Sequence, residues 1–231
     1  MKYPKLFKEK AKSVNDILNE GLCLYVKQEP DEVLLFLYDP KKLTNENFKK
    51  YKDINDFVFN SIVGCSKMDK HSFYPYKCWA VSYMAAHKGY GILLYDVLLS
   101  IAGKKGLMPD RSSVSNAAKK VWEYYFTNRK SEIETKPIDD EDDPLTKPKT
   151  DDGFVYEPFK HNDKDIFKRS FIDRVYYLKK PISYKSLEKQ HEDFINNKLP
   201  NIKGLDKVTF LKKMNPIIVI KFLTAKERGE V

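Results

Sequence analysis

Residues His87-Lys88-Gly89-Tyr90-Gly91 stand between an apolar, strand-like run, Cys78 to Ala86, and an apolar, helix-like run, Ile92 to Ala102. Glycines at 89 and 91 can take positive φ and let a ligand approach the main chain. The first N–H groups of the helix have no intrahelical acceptor, and the helix dipole favours negative charge at the same place. The chemistry that suits this order is the cradling of a pyrophosphate. A Gly-x-Gly is common in turns, so the strand before it and the helix after it carry the inference.

Other reactive side chains form no comparable pattern. The histidines, His71, His87, His161 and His191, show no ligand spacing, and His191-Glu192 lacks the second histidine of a zincin helix. Three widely separated cysteines, Cys23, Cys65 and Cys78, argue against a disulfide framework or a zinc cluster and point to a reducing compartment. Asp139 to Asp143 is a poor calcium loop, because Pro144 stands where the turn needs glycine and no glutamate closes it. No metal site is expected.

Composition bounds the rest. A chain of 231 residues with 42% hydrophobic and 13% aromatic residues can bury a substantial core. Its net charge of +9 is uneven, since residues 137–153 hold seven acids and two lysines, which puts +14 on the remainder. That remainder permits attraction to an acidic cofactor or a nucleic acid. Scattered lysines and only a few arginines (111, 129, 169, 174 and 228) read as a solvated surface, and nucleic acid is not the expected partner. The longest greasy run, Ile92 to Ala102, is too short to span a bilayer and contains Asp96, so the chain reads as soluble, unprocessed and without a membrane partner.

The elements that must position the glycine loop follow from periodicity. A helix over Leu6 to Leu18 with a stop at Glu20-Gly21 precedes strands at Leu22 to Lys27 and Val33 to Tyr38. A third strand is expected over Phe57 to Gly64 and a fourth over Cys78 to Ala86. The helix at 92–102 is apolar nearly all round, with Asp96 and Ser100 as its polar strip, so it should be buried against a sheet. Leu107-Met108, closed by Pro109, makes a short fifth strand. A serine in Ser112-Ser113 caps the next helix, whose apolar positions Val114, Ala117, Ala118, Val121, Trp122 and Tyr125 fall on one face. Residues 134–153 read as an acidic loop, followed by a strand at Phe171 to Leu178, a helix at Ser186 to Leu199 and a last strand at Pro216 to Phe222. The fold class is α/β, with a mixed, mostly antiparallel sheet and helices on its faces.

Residues 79–126 resemble the GNAT superfamily of acetyl-CoA-dependent N-acetyltransferases. Trp79-Ala80-Val81-Ser82-Tyr83-Met84-Ala85-Ala86 resembles its fourth strand, His87 to Gly91 its acetyl-CoA loop and Ile92 to Ala102 the helix behind it. Gly106-Leu107-Met108-Pro109-Asp110 resembles the fifth strand, and Ser113 to Phe126 the helix that flanks the pantetheine. The phrasing of Gly89-Tyr90-Gly91, Leu94-Tyr95-Asp96, Gly106 to Ser115 and Val121-Trp122 is similar to bacteriophage-encoded acetyltransferase-like proteins. The close resemblance covers about a fifth of the chain, and the remainder is alike only in the order of its elements.

The resemblance implies a sheet splayed between strands four and five, with acetyl-CoA as co-substrate in the gap. Its contacts would come from Ser82, Tyr83, Met84, His87, Lys88, Gly89, Tyr90, Gly91 and Ile92, with the acetyl carbonyl polarised by a backbone N–H near Tyr83 or Met84. Where the family has Gln or Arg three residues before the first glycine, this chain has Ala86, and His87 and Lys88 are the substitutes. Residues 77–86 lack the family's strand-four glutamate, which leaves His87, Glu123 or solvent as general base. Trp122 stands about where the family's thiolate-protonating tyrosine would be; Tyr124 or Ser115 would take that role.

A GNAT-like core at 1–133, an acidic loop at 134–153 and a C-terminal part at 154–231 completing the same domain are therefore expected. The implied activity is acetyl transfer to a primary amine of a protein or small molecule, in the cytoplasm of a phage-infected host. The rival expectation is a catalytically silent protein of the same fold, acting as a virion component or as a binder of a phage or host protein.

Overall fold

The computed structural model describes residues 11–70, 78–110, 114–137 and 171–227. Seven strands, β1 (Cys23–Gln28), β2 (Glu32–Tyr38), β3 (Ile62–Lys70), β4 (Trp79–Ala86), β5 (Leu107–Pro109), β6 (Ile133–Pro137) and β7 (Arg174–Leu178), form one mixed sheet. Their order is β1-β2-β3-β4-β5-β7-β6. β4 and β5 pair in parallel, while β1 with β2, β5 with β7 and β6 with β7 pair antiparallel. The helices are α1 (Val14–Glu20), α2 (Asn45–Phe48), α3 (Ile54–Ser61), α4 (Gly91–Ala102), α5 (Asn116–Asn128), α6 (Lys185–Asp193), α7 (Lys207–Lys213) and α8 (Pro216–Glu227). The α/β class expected from the sequence is the one observed.

The chain divides into two compact units, one from 1–67, 83–95 and 183–231 and the other from 68–82 and 96–182. In the first, residues of β1 to β3 share a core with α3 and the C-terminal helices. Phe36, Tyr38, Phe57, Ile62, Phe194, Leu199, Phe210, Val219 and Leu223 are all buried in it. Tyr38 anchors that core edge-on against Phe194 at 5.8 Å and Phe210 at 5.4 Å. In the second, Cys78, Ala80, Met108 and Val175 make a small cluster. Trp122, on the inner face of α5, lies 4.7 Å from the Tyr176 ring.

Four sequence expectations are corrected. The segment expected as a strand from Phe57 is helical until Ser61, and β3 begins only at Ile62. Asp53 caps α3 through the Asn55 amide at 3.0 Å, and buried Phe57, Val58 and Ser61 follow Ile54 at helical spacing, which overrides the β preference of the aromatic and branched residues. The C-terminal run expected as a strand is α8. Asn215 accepts from the Ile217 amide at 3.0 Å, Pro216 opens the helix, and Val219 and Leu223 bury one stripe. Residues 133–137, largely assigned to the acidic loop, form β6 on the sheet edge. The cap of α5 is Ser115, two residues beyond the expected serines. The expected helix from Leu6 falls partly outside the described residues, as does the rest of the acidic segment.

Two positions in this frame give measurable expectations. Gly106 precedes β5 at φ +73°, and a Cβ there would come within 2.4 Å of Val175 Cγ1 and 2.6 Å of Tyr177 Cε1. Gly106→Ala combines left-handed strain with overpacking, so it is expected to lower unfolding free energy by about 2–3 kcal/mol in urea denaturation. His191 on α6 meets the Tyr38 hydroxyl through Nδ1 at 2.8 Å and stacks on Tyr25 at 4.9 Å. Burial first, and the charge of Lys207 second, push its pKa down from 6.5 to about 4. The folded state thus holds the imidazole neutral while the unfolded chain takes up the proton. The associated stability is complete above about pH 6.5 and is lost as pH falls toward 4, a change of about 3 kcal/mol. Urea melts at the two ends of that window should show the loss, and His191→Gln should flatten it.

Candidate functional site

In the first unit, the main chain leaves β4 and turns into α4 through residues 87–90. The His87 amide donates to Val63 O at 2.8 Å, fixing the strand end, and the Tyr90 amide donates back to His87 O at 3.2 Å. Gly89 supplies the φ of +92° that this turn requires. The Leu94 amide donates to Tyr90 O at 3.3 Å, so the helix proper starts at Gly91. Among the described residues, the amides of Gly89 and Gly91 donate to no main-chain acceptor. A Cβ placed on Gly91 would meet nothing within 4 Å, so the backbone is open to an incoming group there. Tyr83, two strand positions before Ala85, is an unusually exposed aromatic at 43%.

The loop is pinned from outside by side chains not foreseen from the sequence. Lys12 N donates to Gly89 O at 3.3 Å, and Lys12 Nζ donates to the Tyr90 hydroxyl at 2.7 Å. That hydroxyl in turn donates to Glu20 Oε2 at 2.8 Å, and Lys12 and Glu20 form an ion pair. The hydrogen bonds to Glu20 and then Tyr90 raise the Lys12 pKa, so the ammonium stays charged beside the glycines. Burial pushes the Glu20 carboxyl up, but Lys12 and Tyr90 outweigh it and hold the carboxyl below its ordinary value. Tyr90 is therefore the loop's anchor. Nothing in residues near 90 signals this, because the partners lie some 70 positions earlier in the chain.

In the second unit, the pairing of β4 with β5 runs from Trp79 with Leu107 to Val81 with Pro109 and stops where β5 ends, while β4 continues to Ala86. Ser82, the first β4 residue past that ladder, donates its hydroxyl to Asp69 on β3. This carboxylate was missed because the third strand was expected to end at Gly64, five residues short of it. Ser115 Oγ accepts from the Ala118 amide at 3.2 Å as the cap of α5. Tyr124 is half-buried with its ring 6.2 Å from that of Tyr125, and Glu123 is exposed. Trp122 is 1% exposed and packs on Tyr125 and Tyr176, a core position. Asp96, from the polar strip of α4, accepts from Tyr125 at 2.7 Å and from Arg129 Nη1 at 2.6 Å.

Tyr83, Met84 and residues 87–92 are thus contiguous in the first unit, and Ser82, Ser115 and Tyr124 belong to the second. Among the described residues no group of three or more His, Cys, Asp or Glu side chains can hold a metal ion, and no helix is long and apolar enough to cross a membrane. Comparison of the chain with protein-family models, with curated proteins and with solved structures finds no match. The chemistry that the loop offers is anion binding by backbone, with a protonated lysine alongside. The β4 segment beside it offers a strand edge past the end of β5 and a serine bonded to a carboxylate.

Proposed function

We propose that this chain is a GNAT-like protein that binds acetyl-CoA and transfers its acetyl group to a primary amine. The observation that carries the reading is the turn from β4 into α4. Gly89 shapes it, the amides of Gly89 and Gly91 find no main-chain acceptor among the described residues, and open space lies over Gly91. The parallel β4–β5 pair that ends at Val81 and Pro109 supports it further, since the acyl arm of the cofactor needs a strand edge to bond. The pyrophosphate would lie on residues 87–92 and the thioester carbonyl near the amides of Tyr83 and Met84. In this reading the substrate amine loses its proton, attacks the thioester carbon, and coenzyme A leaves as thiol. The phage-encoded setting and the identity of the acceptor are part of the same proposal.

Acetyl-CoA at 100 times its dissociation constant should stabilise the fold by about 2.7 kcal/mol, a rise in melting temperature of about 5–10 °C for a chain of this size. Gly91→Asp is the matching variant. The added side chain enters free space, so the unliganded melting temperature should hold, while the carboxylate faces the phosphates and the cofactor's shift should vanish. An equal shift in the variant, or none in the parent protein at millimolar acetyl-CoA, would rule the loop out as a cofactor cradle.

A second reading is favoured by Trp122 and Ser115. The first is buried where the family's acid would stand, and the second spends its hydroxyl on a helix cap. In that reading the protein keeps the cofactor site but is catalytically silent, and it acts by binding another phage or host protein. Stabilisation by acetyl-CoA with no coenzyme A released across a panel of amines would select it.

A further inference from the structure

A concavity of about 630 Å³ lies wholly in the first unit and shares no residue with the glycine loop. One wall is the sheet, with Tyr25 and Lys27 of β1, Glu32 and Leu34 of β2 and Lys67 of β3; the other is the corner between α7 and α8, with Val208, Leu211, Lys212, Met214 and Ile217. Lys27 and Leu34 are register partners on adjacent strands, so their side chains emerge on the same sheet face. The groove therefore has an apolar floor, formed by Tyr25, Leu34, Leu211 and Met214, and charge above it.

Its lip is the most apolar exposed surface described. Of the four exposed large hydrophobic residues, three are here: Val208 at 60%, Ile217 at 51% and Ile218 at 50%. Val208 and Ile217 line the groove, and Ile218 adjoins Ile217 on the first turn of α8. Three lysines line the groove against one glutamate. Lys67 pairs with Glu32 at 2.8 Å and Lys27 with Glu29 at 2.6 Å, whereas Lys212 has no acidic partner among the described residues. The groove's charge is thus positive and only partly compensated.

We infer that this groove docks an acidic segment of a partner protein, with spaced large apolar side chains seated on the Leu34–Leu211–Met214 floor and carboxylates on Lys212, Lys27 and Lys67. The chemistry selects this occupant. A wholly apolar ligand would strip water from the lysines without repaying them, and a nucleic acid would leave the apolar floor and the isoleucine lip uncovered. A flat lipid surface would not fill a concavity of about 630 Å³. An extended chain with alternating character satisfies the floor and the rim together.

Selection of random displayed peptides against the full-length protein tests this without presuming a sequence. Enriched peptides should be rich in Asp and Glu with spaced Leu, Ile, Phe or Trp, and their affinity by fluorescence anisotropy should weaken with salt. Affinity should fall at least about tenfold in Lys212→Glu and in Ile217→Asp. Both positions are exposed, and unchanged circular dichroism and melting temperature would establish that the variants are folded. The inference is overturned if no peptide is enriched, if the enriched peptides lack acids, or if both variants bind them undiminished. It is equally overturned if Ile217→Asp instead abolishes pelleting with phosphatidylserine vesicles, or abolishes a concentration-dependent dimer in sedimentation; those results would assign the lip to a membrane or to a second copy. None of these outcomes bears on the acetyl-CoA proposal.

Discussion

Arg129→Met is expected to lower the free energy of unfolding by about 3–5 kcal/mol, read from the urea midpoint, because it leaves a buried carboxylate without its countercharge. Arg129 is 8% exposed and Asp96 9%. Nη1 of Arg129 reaches Asp96 Oδ1 at 2.6 Å, the Tyr125 hydroxyl donates to the same oxygen at 2.7 Å, and Nη2 reaches Glu132 at 2.6 Å. Burial pushes the Asp96 carboxyl up, and Arg129 and Tyr125 pull it back only in part. For Arg129, burial alone would lower the pKa, and Asp96 in front of Tyr125 and Glu132 more than restores it. The two groups form one buried ion pair, each dependent on the other. Removing Asp96 as well, in Asp96→Leu with Arg129→Met, should recover most of the loss, since two apolar side chains need no countercharge. A double variant as unstable as the single one would mean that the helix ends were held by packing and not by the pair.

Much of this frame could be read from the sequence because it rests on local chemistry. Gly21 ends α1, Pro109 closes β5, and the run from Trp79 to Ala102 is a short apolar strand-like stretch, a glycine turn and an apolar helical stretch. Asp96 could be foreseen as the polar strip of a buried helix, though not its partner, because Arg129 lies 33 residues away. The two helices mistaken for strands share one cause. Phe57 to Ser61 and Ile217 to Ile220 have strand-like composition, and it is a single capping side chain, Asp53 or Asn215, together with burial of one stripe, that makes each a helix. Ending the third strand too early then hid Asp69. Lys12, Glu20 and Tyr90 illustrate the other limit: each is unremarkable where it stands, and only the fold brings them to one point.

If the chain transfers acetyl groups as proposed, Asp69→Asn is expected to reduce that transfer at neutral pH by about 10²- to 10⁴-fold, the range of a lost general base. An amine acceptor arrives protonated and must shed a proton to attack a thioester. No carboxylate lies on β4 itself, but Asp69 of β3 holds the Ser82 hydroxyl, one residue before Tyr83, whose amide with that of Met84 is the proposed contact for the acetyl carbonyl. In that proposal the carboxylate takes the proton through the Ser82 hydroxyl that it holds. Asparagine keeps the shape and the hydrogen bond but cannot accept a proton, so cofactor stabilisation and melting temperature should be preserved. The variant's rate should rise with pH toward that of the free amine, while the parent's profile levels off earlier. Ser82→Ala should give a smaller loss if the hydroxyl only relays. A purely structural Asp69 would lower stability and leave the shape of the pH profile unchanged. Transfer that survives Asp69→Asn with the parent profile would take its proton elsewhere, and His87→Ala and Glu123→Gln would then show which of the two carries it.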